Sequence, residues 1–222
     1  DRRSQFTPFG VFSDERYHVV DGNDLIVEEL TRELPGQITY DSRLVQVRKL
    51  SDGRIKLTFR SSNRTVVHTH DVAVLTIPFT TLREVELDAN LSIPAHQRTA
   101  IRELGYGTNA KMMIGFSGRP WRVLGSNGTA YADHENVQTT WETNPSRGTT
   151  TRGVLTDYSS GARGAGLNPN AVQTEAQRFL TDLNHVFPGT LGAAPLVNGQ
   201  YLAHLEHWPS NPLMKGSYTC YR

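Results

Sequence analysis

Leu44-Val45-Gln46-Val47-Arg48-Lys49-Leu50-Ser51-Asp52-Gly53-Arg54-Ile55-Lys56-Leu57-Thr58-Phe59 is the stretch on which the fold class turns. On both sides of Asp52-Gly53 the sequence alternates with period two. Leu44, Gln46 and Arg48 interleave with Val45, Val47 and Lys49, and Ile55, Leu57 and Phe59 share one face of the return. Period two marks strands with one face to a core, and Asp-Gly supplies the backbone conformation of a tight hairpin. Thr65 to His70 continues the alternation as a third strand. Val72-Ala73-Val74-Leu75-Thr76-Ile77 is then an unbroken apolar run closed by Pro78, the pattern of a strand buried on both faces. The meander and this strand are expected to form one unit.

Upstream, Asn23 to Leu34 reads as a helix. Leu25, Ile26, Leu30 and Leu34 share a face, Asn23 can cap it, and Pro35-Gly36 ends it. Downstream the texture changes. Pro94 opens a short helix that stops near Leu104-Gly105. Lys111 to Phe116, Val137 to Trp141, Arg152 to Tyr158 and Gln200 to His207 read as strands between Gly, Pro and Asn loops. A longer helix is expected from an Asn168 cap and Pro169 start, with Val172, Ala176, Phe179, Leu180, Leu183 and Phe187 as its stripe. Residues 159–170 are Gly-rich but too short for a domain linker. The fold class is α+β with a mixed or antiparallel sheet, and boundaries are expected near Phe79 to Leu87 and near Trp208.

Composition excludes several classes. The 23 Lys and Arg against 22 Asp and Glu leave a net charge of +1, so no field for a polyanion such as nucleic acid exists. No apolar run approaches the roughly 20 residues of a membrane helix. One cysteine, Cys220, rules out an internal disulfide and any multi-cysteine metal site, and it reads as a small buried hydrophobe. Three sequons, at Asn63, Asn90 and Asn127, are either accidental or a hint of a secreted enzyme. Asp1-Arg2-Arg3 at one end and the strand-like Ser217 to Arg222 at the other read as cuts through a longer protein.

Few residues carry chemistry by themselves. His68 and His70 share a strand face but lack a third ligand at a telling spacing, and His204, Glu206 and His207 meet the same objection; no metal site is expected. No G-x-S-x-G, no G-x-G-x-x-G and no phosphate-cradling loop occurs. Lys111 stands out because it begins an otherwise apolar strand, Ala110 to Phe116. It reads either as a lysine snorkelling at a sheet margin or as a buried amine holding a water or an anionic ring. Trp208 and Tyr218, ten residues apart around Gly216, are either core or two aromatic walls.

Five segments in order resemble the flavin-containing amine oxidase family, which includes monoamine, polyamine and L-amino-acid oxidases. Val20-Asp21-Gly22-Asn23-Asp24-Leu25 before a helix is similar to a Gly-Gly-x-x-x-Leu turn, and Arg43-Leu44-Val45 to a strand whose backbone meets the FAD adenine. Asp71 to Pro78 resembles an Ala-Asp-x-Val-Ile-Val-x-x-Pro strand. Tyr106-Gly107-Thr108-Asn109-Ala110-Lys111-Met112 resembles the segment with a lysine near flavin N5. His207-Trp208 through Lys215-Gly216-Ser217-Tyr218 resembles the Trp and Gly-x-Tyr elements beside the isoalloxazine ring.

The resemblance implies an FAD-dependent oxidase that turns an amine or L-amino acid into an imine, then a carbonyl compound and ammonia or an amine, with release of hydrogen peroxide. It implies a catalytic Lys111 holding a water at flavin N5. It implies cofactor contacts from Val45, Pro78, Trp208 and Ser217, and substrate contacts from Tyr158, Tyr218 and Trp141. Ser217 stands where monoamine oxidases carry the flavin-linking cysteine, so the FAD is expected to be non-covalent. Residues 1–80 and 207–222 are expected in the FAD domain, and 81–206 in the substrate domain. The family's G-x-G-x-x-G and its C-terminal FAD segment are absent here, which implies other chains carrying them and an oligomer. Amino acid and plain amine remain equal options, with a desaturase or protoporphyrinogen-type oxidase a lesser one. The rival from another class is a non-catalytic binding domain with a closed surface; the oxidase instead implies exposed apolar edges such as Val72 to Ile77.

Overall fold

A computed structural model describes residues 19–143 and 151–220. In chain order, α1 (Asp24–Glu33) precedes the meander β1 (Arg43–Lys49), β2 (Ile55–Ser61) and β3 (Arg64–His70). There follow α2 (Phe79–Leu82), β4 (Glu86–Leu87), α3 (Ala95–Glu103), β5 (Gly105–Tyr106) and β6 (Ala110–Phe116). Next come α4 (Pro120–Val123), β7 (Ala130–Tyr131), β8 (Thr139–Glu142), β9 (Gly153–Ser159) and α5 (Gly161–Gly166). The chain continues through α6 (Val172–Val186), α7 (Thr190–Ala193), β10 (Leu196–Val197), β11 (Gln200–Tyr201), β12 (Ala203–His207) and β13 (Thr219–Cys220). The molecule is α+β, as its sequence implies.

The meander forms as its alternation requires, in a four-stranded sheet of order β3-β2-β1-β4. Gly53 takes φ +90°, and Asp52 closes the turn by accepting from the Arg54 backbone N–H at 3.1 Å. The β1–β2 register shifts between Leu44 and Gln46, so Val45 has no partner on β2 and sits in a bulge. A small core lies against this sheet: Val47, Leu82, Val85 and Ile101, with Leu44, Leu57, Leu75 and Phe79 packed around them.

The second sheet is antiparallel throughout, in the order β12-β6-β9-β8-β7. Strict alternation in β6 sends Ala110, Met112, Ile114 and Phe116 into the larger core. Helix α6 lays Ala176, Phe179, Leu180 and Leu183 on the same core, one stripe of a 3.6-residue period. It starts later than its sequence suggests. Asn168 accepts from the Asn170 N–H at 2.9 Å and so closes a turn ahead of the helix, while Glu175 accepts from the Asn168 N–H at 3.3 Å.

Three further expectations need correction. Residues 72–77 are not a buried strand: the segment pairs with no strand among the described residues, and Val72 and Val74 are 76% and 81% exposed. Only Leu75 packs against a core; an apolar run is buried only where something covers it. Cys220 is exposed in β13, because that two-stranded ribbon shows its faces to solvent. Asn23 makes no side-chain cap on α1; its Oδ1 instead accepts from the Val19 N–H at 3.0 Å.

Candidate functional site

The face of the five-stranded sheet turned away from the larger core gathers three of the singled-out residues, Lys111, Trp141 and Tyr158. The alternation that buries Met112 turns Lys111 and Met113 to this side. Antiparallel pairing then sets Lys111 directly between Tyr158 on β9 and Glu206 on β12. Trp141 pairs with Thr156, one step along the same face. The Lys111 ammonium lies 5.8 Å from the Trp141 ring centroid, and the Trp141 and Tyr158 rings are 5.9 Å apart at 43°. An ammonium over an indole is attracted by the ring quadrupole, so the lysine is held on this face rather than swept into solvent. All three side chains are half-buried.

A second segment closes one end of this face. From His207 the chain runs through a 3-10 turn at Trp208–Ser210 and returns to pair β13 with β5. The Ser217 N–H donates to the Gly107 carbonyl at 2.9 Å, and the Gly107 N–H donates to the Tyr218 carbonyl at 2.8 Å. Two glycines permit this approach. A Cβ on Gly216, which has φ +150°, would lie 2.6 Å from the Tyr106 Cβ; one on Gly107 would lie 2.7 Å from Asn109 Oδ1 and 2.8 Å from Ser217 Oγ. Trp208 is half-buried and Tyr218 is exposed. Behind them His207 is buried, its Nε2–H donating to the Gly164 carbonyl at 3.0 Å and its Nδ1 2.8 Å from Ser210 Oγ.

Asn109 joins the two segments. Its Nδ2 donates to the Tyr158 hydroxyl, its Oδ1 accepts from Ser217 Oγ at 2.5 Å, and its backbone N–H donates to Ser217 Oγ at 3.3 Å. Burial pushes the Tyr158 phenol above its ordinary range, with the nearby Tyr218 adding to the effect. Lys111, Trp141, Tyr158, Ser217 and Tyr218 are thus brought into one neighbourhood. Pro78 is linked more loosely: the next residue, Phe79, donates its N–H to the Tyr106 hydroxyl at 3.0 Å. Val45 lies in the other sheet. Its strand reaches this loop through Arg43, whose guanidinium is 2.6 Å from Glu84, which also pairs with Lys215.

Sequence reasoning overlooked Asn109 as an individual residue, because an asparagine before a strand reads as turn chemistry. Glu206 was weighed only as a metal ligand. Its place beside Lys111 follows from strand pairing, which no local pattern encodes. Two further polar clusters among the described residues sit in or against the core. Glu142, with Arg122 at 2.5 Å and the Trp121 indole N–H at 3.3 Å, is buried. Asp157 is also buried, bonded by Ser159 and Gln138, and burial raises its carboxyl pKa. His68 and His70 stack on exposed β3 at 6.1 Å, and no group of three metal-capable side chains exists among the described residues. No helix among them is long and apolar enough to cross a membrane.

Comparison with known proteins shows the family and the fold. A family profile described as flavin containing amine oxidoreductase matches residues 2–222. A Bacillus subtilis (strain 168) protein named "Putative L-amino-acid oxidase YobN" is 32% identical over 116 residues, half of this chain and 24% of that protein. Wild-type putrescine oxidase bound to putrescine superposes with a TM-score of 0.70 at 16% identity, over 89% of this chain and 41% of its own. Cyclohexylamine oxidase from Brevibacterium oxydans IH-35A gives 0.67 at 13% identity, over 88% and 40%. At such identities the superpositions speak for the fold. The chain spans about a quarter of the length of the curated relative and about two fifths of these solved structures.

Proposed function

The chain belongs to the flavin-containing amine oxidoreductase family, and on that premise we propose that it builds the substrate wall and one flavin-facing edge of an L-amino-acid oxidase. The observation that carries this reading is the cluster of Lys111, Trp141 and Tyr158 on one open sheet face, tied through Asn109 to Ser217 and Tyr218. When bound, the flavin supplies the acceptor for two electrons from the substrate's C–H bond, and oxygen then takes them as hydrogen peroxide.

This chain's residues fit such a group in two ways. Trp208 and Tyr218 offer aromatic surface on the loop that Gly107 and Gly216 allow to pack tightly. The bulge takes Val45 out of the β1–β2 ladder, which suits a backbone contact with an adenine edge. Pro78, set beside Tyr106 through Phe79, and Ser217 would line the same side. Ser217 has a hydroxyl where a thioether would need sulfur, and that hydroxyl is already bonded to Asn109, which supports non-covalent binding. We assign the four-stranded sheet and residues 207–222 to the flavin side and the five-stranded sheet to the substrate side. The remaining flavin contacts then come from segments beyond these residues, on the same or other chains.

Lys111 holds a water on the reacting side, where a fixed ammonium orients the oxygen for attack on the substrate's imine carbon. The ammonium also disfavours a protonated substrate amine nearby, so the amine reacts in its neutral form. Tyr158 donates its hydroxyl to a carboxylate, and Trp141 and Tyr218 exclude bulk water. Two donors on one face favour a substrate that carries a carboxylate. A plain or second amine is favoured by one observation: the half-buried Glu206 carboxylate, in register with Lys111.

An ultraviolet–visible spectrum of native material containing this chain tests the reading. Flavin bands that bleach anaerobically with L-amino acids, and not with the amines lacking their carboxyl groups, are expected. Bleaching by amines alone moves the function to an amine oxidase, and colourless protein removes the oxidase altogether.

A further inference from the structure

We propose that Asn109 is a positioning residue that fixes the direction in which the Tyr158 hydroxyl donates, and so sets the preference for carboxylate-bearing substrates; this rests on the role given to Tyr158 above. The Asn109 carboxamide has one donor end and one acceptor end, and its surroundings decide which faces which. The Asn109 backbone N–H donates to Ser217 Oγ at 3.3 Å, so the Ser217 proton is left to be given onward, to Asn109 Oδ1 at 2.5 Å. With Oδ1 engaged there, Nδ2 faces Tyr158 and donates to its oxygen. A phenol oxygen that already accepts keeps its single proton for another partner. We place that partner on the sheet face that this half-buried ring shares with Lys111 and Trp141.

The donors therefore run one way: Asn109 backbone, Ser217, Asn109 side chain, Tyr158, substrate. An ionised carboxylate only accepts, so a phenol held as a donor suits it, whereas an ammonium gains nothing from that proton. Packing holds the relay in place, since the side chains of Asn109 and Ser217 fill the space above Gly107.

Asn109→Asp keeps the shape and removes the donor. The new carboxylate would accept the Tyr158 proton and turn a lone pair toward the substrate. In the full-length, flavin-loaded protein, kinetics are measured for the L-amino acid that bleaches the flavin fastest and for the amine lacking its carboxyl group. Binding of the corresponding keto acid is measured by calorimetry. Loss of a hydrogen bond to a charged group raises the amino-acid KM and the keto-acid Kd by roughly ten- to a hundredfold. The turnover number and the KM of the amine are expected to hold within about twofold. Tyr158→Phe raises the amino-acid KM and the keto-acid Kd to a similar extent, and the double variant raises them no further, as expected for residues acting as one unit. Should Asn109→Asp fold poorly, Asn109→Leu removes both ends of the carboxamide at similar size and shifts the same two constants in the same direction. Equal losses on both substrates, a loss confined to turnover, or additivity with Tyr158→Phe would overturn the proposal while the reading of Tyr158 stands. Tyr158→Phe without any change in discrimination, or a flavin reduced by amines alone, removes that reading and the relay with it.

Discussion

At the scale of single residues, Lys111 shows how a charge gains meaning from its surroundings. Its strand is apolar and its inward neighbours are fully buried, yet alternation sends its side chain to the open face, where an indole receives the ammonium. The sequence singles it out because a lysine inside an apolar strand has an energetic cost that must be offset. Lys111→Met preserves length and apolar packing and removes the charge, so the fold should survive. Imine hydrolysis should slow by about 10²-fold, the usual effect of deleting one aimed donor, as read by the rate of keto-acid release in rapid-quench samples after anaerobic reduction. Unchanged keto-acid release would take Lys111 out of the chemistry. Asn109 is the opposite case. A polar residue ahead of a strand satisfies turn rules whatever else it does, so its bonds to Tyr158 and Ser217 emerge only when residues 49 and 108 positions away are brought beside it.

Among elements, what was legible is what local patterning dictates. The meander follows from alternation and Asp52-Gly53, β6 from its own alternation, and α6 from a stripe at helical period. Tertiary contacts decide the rest. Two-residue strands such as β4, β5, β7 and β13 exist only through pairings, and the loop from Trp208 to Ser217 is held by partners distant in sequence. One of those partners is Glu84, which binds Lys215 and Arg43 and so joins this loop to β1. The Lys215 hydrogen bond, then the charges of Lys215 and Arg43, hold the Glu84 carboxyl below its usual range. A depressed native pKa means that the folded state binds this proton less tightly than the unfolded chain. The bridge therefore contributes stability above the ordinary glutamate range and loses it as pH falls through the lowered native value. All three partners are solvent-accessible, so salt should weaken the bridge as acid does. Hydrogen exchange at the Gly216 and Ser217 amides, corrected for intrinsic rates, should accelerate on acidification and in about 0.5 M salt, while β6 and β9 amides hold. In Glu84→Gln those two amides should exchange faster at neutral pH and lose most of this acid and salt response. An unaltered response in that variant would assign the loop's stability to its backbone bonds alone.

For the whole molecule, the apolar surface is unevenly covered. Among the described residues, the five-stranded sheet and α6 enclose a core of fourteen buried residues, whereas the four-stranded sheet rests on four. Helix α1 buries none of its residues, and Ile26, Val27 and Leu30 are each more than half exposed. Val72 and Val74 add a second uncovered stretch. A ten-residue helix is marginal in water unless its apolar face is packed, and contiguous exposed apolar surface marks a site of association. A non-catalytic domain with a closed surface does not present such faces; part of a larger flavoprotein does. Prepared alone, the 222-residue chain should bind a hydrophobic dye and associate with rising concentration in sedimentation velocity. Its α1 amides should exchange nearly as fast as unfolded peptide, while those of α6 stay protected. Replacing Leu30 and Val74 together by lysine should suppress dye binding and association in the isolated chain without lowering α6 protection. The same pair in the full-length protein should reduce flavin incorporation, because the faces then fail to pack. A lone chain that remains monomeric, binds no dye and protects α1 would mean that these faces need no partner, and would revive the closed binding domain as the better reading.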